Sequence, residues 1–197
     1  MARPSESAPL IGVIPPYVLD RLAQHAGARV SMPAVKTLII AQQQRGLREM
    51  AEQPPRATLA PSRQAAPAGT PQRAVHDADN TTTLPGALAR AEGRPASGDP
   101  AVDEAYAHLG ATYKLFWDIY KRHSIDGHGL PLIGTVHYGE DYDNAFWNGA
   151  QMVFGDGDGE VFNRFTIAVD IIGHELTHGV IDAEAGLLYQ GQSGALN

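Results

Sequence analysis

His174-Glu175-Leu176-Thr177-His178 constrains the fold of this chain more than any other run. Two histidines four residues apart point the same way only on an α-helix, where they stand on one face, one turn apart. Glu175 follows about 100° around the helix from His174. Ile172, Leu176 and Val180 fall on the other side. The spacing therefore predicts a helix with one reactive face and one apolar face pressed into a core.

The same run is a metal-binding pattern. His174 and His178 can pinch one Zn2+, and Glu175 lies too far around to be an ideal third ligand. It is well placed beside a metal-bound water, where a carboxylate serves as general base. A catalytic zinc takes three protein ligands and keeps one position open. The chain contains no cysteine, so the third ligand has to be His, Asp or Glu. After His178 little chain remains, ending in Ser193-Gly194-Ala195-Leu196-Asn197. His123, His128 and His137 show no ligand spacing and read as surface or satisfied core groups.

Charge excludes some partners. The net charge is −7 with no basic stripe, which argues against nucleic acid. No stretch approaches the roughly 20 apolar residues of a membrane span, so no membrane partner is expected. The N-terminus has no cationic start followed by a long apolar run, and no Sec-type signal peptide is read there.

Three regions differ in composition. Residues 1–50 read as two short helices. Pro15-Pro16 opens the first and Gly27 closes it, with Val18, Leu19, Leu22 and Ala26 on one side. The second is expected after Ser31, with Val35, Leu38, Ile39 and Leu47 as its apolar residues. Two such helices bury too little to stand alone and need a larger partner. Residues 51–74, with Pro54-Pro55, Pro61, Pro67 and Pro71, read as an exposed linker open to proteolysis.

From Val75 a folded domain is expected. Asp99-Pro100 starts a helix whose stripe is Val102, Ala105, Tyr106, Leu109, Tyr113, Phe116 and Tyr120. Thr135-Val136-His137-Tyr138 reads as a strand. Gln151 to Phe154 and Val161-Phe162 flank Gly155-Asp156-Gly157-Asp158-Gly159, which reads as a hairpin turn rather than a calcium loop, since it lacks EF-hand spacing.

From Val75 to Asn197 the chain resembles the thermolysin-like metallopeptidases. The matching segments run in order: Val136-His137-Tyr138-Gly139, then Asn144-Ala145-Phe146-Trp147-Asn148-Gly149, then Gln151 to Gly159, Asp170, the motif from His174 to Gly179, and Gln192 to Asn197. The resemblance implies an α+β fold: a β-rich N-terminal domain ending in the zinc-binding helix. It implies His174 and His178 as zinc ligands, Glu175 as the catalytic carboxylate, and Asn144, the Ala145 backbone and Trp147 as substrate-binding. It makes Asp170 a Ca2+ ligand; a carboxylate favourable near a helix start is the other reading. Asn144 reads equally as a turn residue, and Trp147 as core.

Residues 1–50 resemble the short pro-segment of the protealysin-like branch, through Ile14-Pro15-Pro16-Tyr17. In the family, Ser-Gly-Ala-Leu-Asn is followed at once by the glutamate that is the third zinc ligand, and then by a helical C-terminal domain. Both are absent from these 197 residues. The expected organisation is a pro-segment (1–50), a linker (51–74) and an incomplete catalytic domain (75–197). The expected function is a zinc metalloendopeptidase precursor cutting protein or peptide substrates, inactive as the chain stands. Its partners are its own pro-segment and the missing C-terminal domain. A non-catalytic remnant or binding module is the alternative. The family norm implies secretion, and the cytoplasm is the alternative.

Overall fold

The computed structural model describes residues 12–50 and 67–186. Helix α1 spans Pro16–His25, with extended Pro15 as cap and Pro16 at its first position, where a missing N–H costs nothing. Helix α2 spans Ala28–Met50. It begins before Ser31, because the Gly27 carbonyl already accepts the amides of Val30 and Ser31 at 3.0 Å each. Its docked face is also not the expected one. Ala34, Thr37 and Ala41 are buried, whereas Val35 and Ile39 are 39% and 50% exposed. Small residues let the helix backbone approach a surface closely, and hydropathy alone does not say which side that surface takes. Leu38 is half-buried, and Leu47 lies outside the described side chains.

The rest of the chain forms β1 (Arg73–Asp77), β2 (Ala87–Ala91), α3 (Pro100–Tyr120), β3 (Leu132–Val136), β4 (Ala145–Trp147), β5 (Met152–Phe154) and α4 (Val169–Ala185). The fold is α+β, with a five-stranded sheet in the order β2-β1-β3-β5-β4. β1, β3 and β5 run parallel, and β2 and β4 pair antiparallel at the two edges. The first strand starts at Arg73, inside the stretch read as linker. A salt bridge sets that boundary rather than an apolar run: Arg73 reaches both oxygens of Glu92, at 2.7 and 2.6 Å, and the Tyr106 carbonyl at 3.0 Å. The linker residues 51–66 lie outside the described residues.

Helix α3 is capped as expected, the Asp99 carboxylate accepting the Val102 amide at 3.1 Å. Its stripe is buried from Val102 to Tyr113, while Tyr120 is exposed where the helix runs past the sheet. β3 ends at Val136 because His137 turns left-handed, with φ of 51°.

The hairpin expected across residues 155–159 is absent. β5 pairs instead with β4, and the tight connection is held by the Asn148 carboxamide oxygen, which accepts the amides of Ala150 and Gln151 at 2.9 Å. Val161-Phe162 forms no strand. The Asp158 carboxylate takes the amides of Glu160, Val161 and Phe162, so one side chain does the work of a ladder partner.

Alternation along the strands divides the core. Ala145, Trp147, Met152 and Phe154 face the main cluster with α3 and α4. Phe146 and Val153 face the other way and join Tyr138 and Tyr142, against which Ile40 of α2 packs. Helix α2 thus lies over a second, smaller aromatic core.

Candidate active site

Helix α4 takes the predicted orientation. Ile172 and Leu176 are buried, His174 is exposed and His178 half-buried. The two Nε2 atoms stand 2.9 Å apart, with ring centroids 4.5 Å apart and planes at 88°. Two imidazole nitrogens bound to one Zn2+ at about 2.0–2.1 Å lie roughly 3 Å from each other, so the pair fits the metal. Partial desolvation, with the charge of His178 adding to it, holds the His174 imidazole below the usual histidine range. That favours the neutral ring a metal requires. Glu175 is 0% exposed, unlike a surface carboxylate.

Neighbouring elements hold this helix in place. Trp147 donates its indole N–H to Asp182 at 2.6 Å, tying edge strand β4 to α4. A methyl at Gly179 would come within 3.1 Å of Ile125 and 3.2 Å of the Trp147 ring, so alanine there requires these side chains to give by a few tenths of an ångström. Arg122 pairs with Glu184 on the last turn. Trp147 is 4% exposed, and its observed contacts are those of a core and positioning residue.

Asn144 and Ala145 are buried at the start of β4, and the N-terminal segment lies along them. The Ile14 amide donates to Asn144 Oδ1 at 2.9 Å, and Asn144 Nδ2 donates to the Ile14 carbonyl at 3.0 Å. The Val13 amide donates to the Ala145 carbonyl at 3.1 Å. Gly12 has φ of 114°, and a Cβ there would lie 2.5 Å from the Ala145 oxygen. Residues 12–14 therefore lie along the β4 edge, held by one backbone hydrogen bond and by the Asn144 side chain, without forming a strand of their own.

Asp170 is exposed in the first turn of α4. Among the described residues no group of three or more His, Asp or Glu could hold a metal. Calcium wants six to eight oxygens, more than the described residues bring to Asp170. The zinc pair likewise has no third ligand among the described residues.

Sequence reasoning missed Asp182, although it continues the four-residue spacing of His174 and His178. It missed Gly12 to Ile14 as a contact of Asn144, because a pairing across 130 positions leaves no local signal. It also missed that His137 bridges Asp99 at 3.1 Å and Asp156 at 2.7 Å.

A helix that aims two histidine nitrogens at one point, buries the intervening glutamate and leans on a sheet edge able to take an extended peptide defines a metallopeptidase-type centre. The family model of the thermolysin metallopeptidase catalytic domain matches residues 60–182, and the chain belongs to that family. It is similar to an extracellular metalloprotease of Pectobacterium carotovorum subsp. carotovorum, 53% identical over 98% of this chain and 53% of the relative. Protease PrtS of a Photorhabdus species is 57% identical over 65% of this chain and 34% of its own length. Among solved structures, the precursor of protealysin, a metalloproteinase from Serratia proteamaculans, superposes with a TM-score of 0.79 at 48% identity. That match covers 95% of this chain and 51% of the other. The match thus spans about half the length of two of these relatives and about a third of the other.

Proposed function

We propose that this chain carries the pro-segment and the first part of the catalytic domain of a zinc metalloendopeptidase. The convergence of His174 and His178 Nε2 to 2.9 Å on one helix face supports this most directly. These two residues would hold Zn2+, with a third protein ligand from the part of the family fold that this chain does not span. The bound metal supplies Lewis acidity toward water and a peptide carbonyl. Glu175 takes the proton of the attacking water and passes it to the departing amide nitrogen. Asn144 and the Ala145 carbonyl hold the substrate backbone extended, and Trp147, through Asp182, fixes the distance between that strip and the zinc helix. Ca2+ at Asp170 would likewise draw most of its oxygens from the part of the family fold that this chain does not span.

Residues 12–14 occupy the strip that substrate needs, so the precursor is held inactive until the pro-segment leaves. Its removal by a cut in the linker fits the proline-rich composition of residues 51–74. The named relative supports action outside the cell.

Casein cleavage by this 197-residue chain and by one continued through the rest of the family fold tests the reading. Turnover is expected in the longer protein and little in the shorter. Robust cleavage by the short chain would remove the need for a third ligand. In the longer protein, Glu175→Gln is expected to lower kcat by at least about a thousandfold while zinc content stays the same. Turnover left intact by that change would take the general-base role from Glu175.

A further inference from the structure

A buried carboxylate, Asp143, with the half-buried Asp158 near it, lies where the pro-segment docks. Asp143 is 0% exposed, and among the described residues neither of its oxygens has a hydrogen-bond partner. One oxygen of Asp158 is buried in the same state. Helix α2 spans the loops that carry them. Thr37 Oγ1 accepts the Asp143 amide at 2.9 Å, and Arg29, two turns earlier, pairs with Glu160 at 3.1 Å. Pro33, buried and one turn from each, lies on the stripe between these anchors. We propose that docking of the pro-segment on the catalytic domain is proton-linked through Asp143: α2 covers this carboxyl in its protonated form, and loss of the proton loosens the pro-segment.

The proposal rests on the reading of residues 12–50 as a pro-segment. An isolated buried carboxylate is costly unless it is paired or protonated. Burial and then the charge of Asp158 push the Asp143 carboxyl up to about 7, with Asp141 adding to them; the nearby Asp158 amide opposes without a well-formed hydrogen bond. The cations of α2 whose side chains are described, Arg29 and Lys36, are engaged elsewhere. Lys36 pairs with Glu140 and Asp141 at the exposed rim, and Arg29 with Glu160. Burial raises the Tyr138 phenol in the adjacent core above its ordinary value, so it stays uncharged near neutrality. Once α2 departs, Asp143 returns toward the ordinary carboxylate value of about 4. The carboxyl is thus raised in the docked state. Its contribution to docking is complete below about pH 4, declines as pH rises, and is lost above about 7.

Hydrogen exchange on the intact 197-residue chain, corrected for intrinsic rates, tests this between pH 5 and 9. Protection of the α2 amides is expected to fall by up to about tenfold per pH unit toward pH 7 and then level off, while α3 amides hold steady. In Asp143→Asn the fall should vanish. In Asp158→Asn it should be smaller, because one charge raising the carboxyl is gone. α2 amides that are protected but independent of pH, or an Asp143→Asn chain with the wild-type slope, would overturn the proposal and leave docking intact. α2 amides unprotected at pH 5, with α3 protected, would overturn docking and the proposal together.

Discussion

Gly12 shows how one residue decides whether the strip of Asn144 and Ala145 is covered. Its φ of 114° and the 2.5 Å approach to the Ala145 oxygen leave no room for a side chain. Gly12→Ala is expected to weaken the docking of residues 12–14 by about 1–3 kcal/mol. Faster exchange at the Val13 and Ile14 amides, with α3 unchanged, would show it. Gly179 plays a similar part on the zinc helix. Alanine there gains helix propensity of up to about 1 kcal/mol. It also pushes against Ile125 and a Trp147 held by its bond to Asp182. Overpacking of this kind costs about 1–3 kcal/mol, so a net loss near 1 kcal/mol is expected in chemical denaturation.

Among the elements, His137 is the clasp. It closes β3 in a left-handed turn and carries its ring between the cap of α3, Asp99, and the loop after β5, Asp156. The hydrogen bond to Asp156 raises the imidazole to about 9, against partial burial, and the charges of both carboxylates add to it. The docked charge is therefore stabilising below about pH 6.5, and that stability is lost as pH rises through about 9. Denaturant midpoints should decline over that window by about 2 kcal/mol after solvent screening, and His137→Asn should flatten the decline. An unchanged slope in the variant would remove His137 from this role. The helices were largely legible in the sequence, whereas β1, β2 and β4 carried no strand reading there. The cap at Asp99, the stripe of α3 and the two faces of α4 follow from spacing. The hairpin across residues 155–159 was misread because Asp158 satisfies three amides by itself, which turn-residue composition does not distinguish from a strand turn.

For the whole molecule, the sheet has two clients. One face carries α3 and the zinc helix, while the other carries the aromatic cluster on which α2 sits. Zinc affinity reports on how much of the centre this chain holds. Two histidines alone should bind Zn2+ weakly, and His174→Ala should abolish that binding. The chain continued through the rest of the fold should bind at least about tenfold tighter than this one, which zinc titration would measure. The sequence by itself determined that His174 and His178 share one face of α4, because a four-residue spacing on a helix sets the two side chains one turn apart. It also determined the helix caps and the apolar stripes, which are local. Only the tertiary structure decided that Asn144 and Ala145 meet residues 12–14, that Trp147 serves α4 through Asp182, and that Asp143 lies buried at the α2 interface. Those outcomes depend on surfaces brought together across more than a hundred residues, or on which face of a helix meets them, and neither spacing nor hydropathy records a distance of that kind.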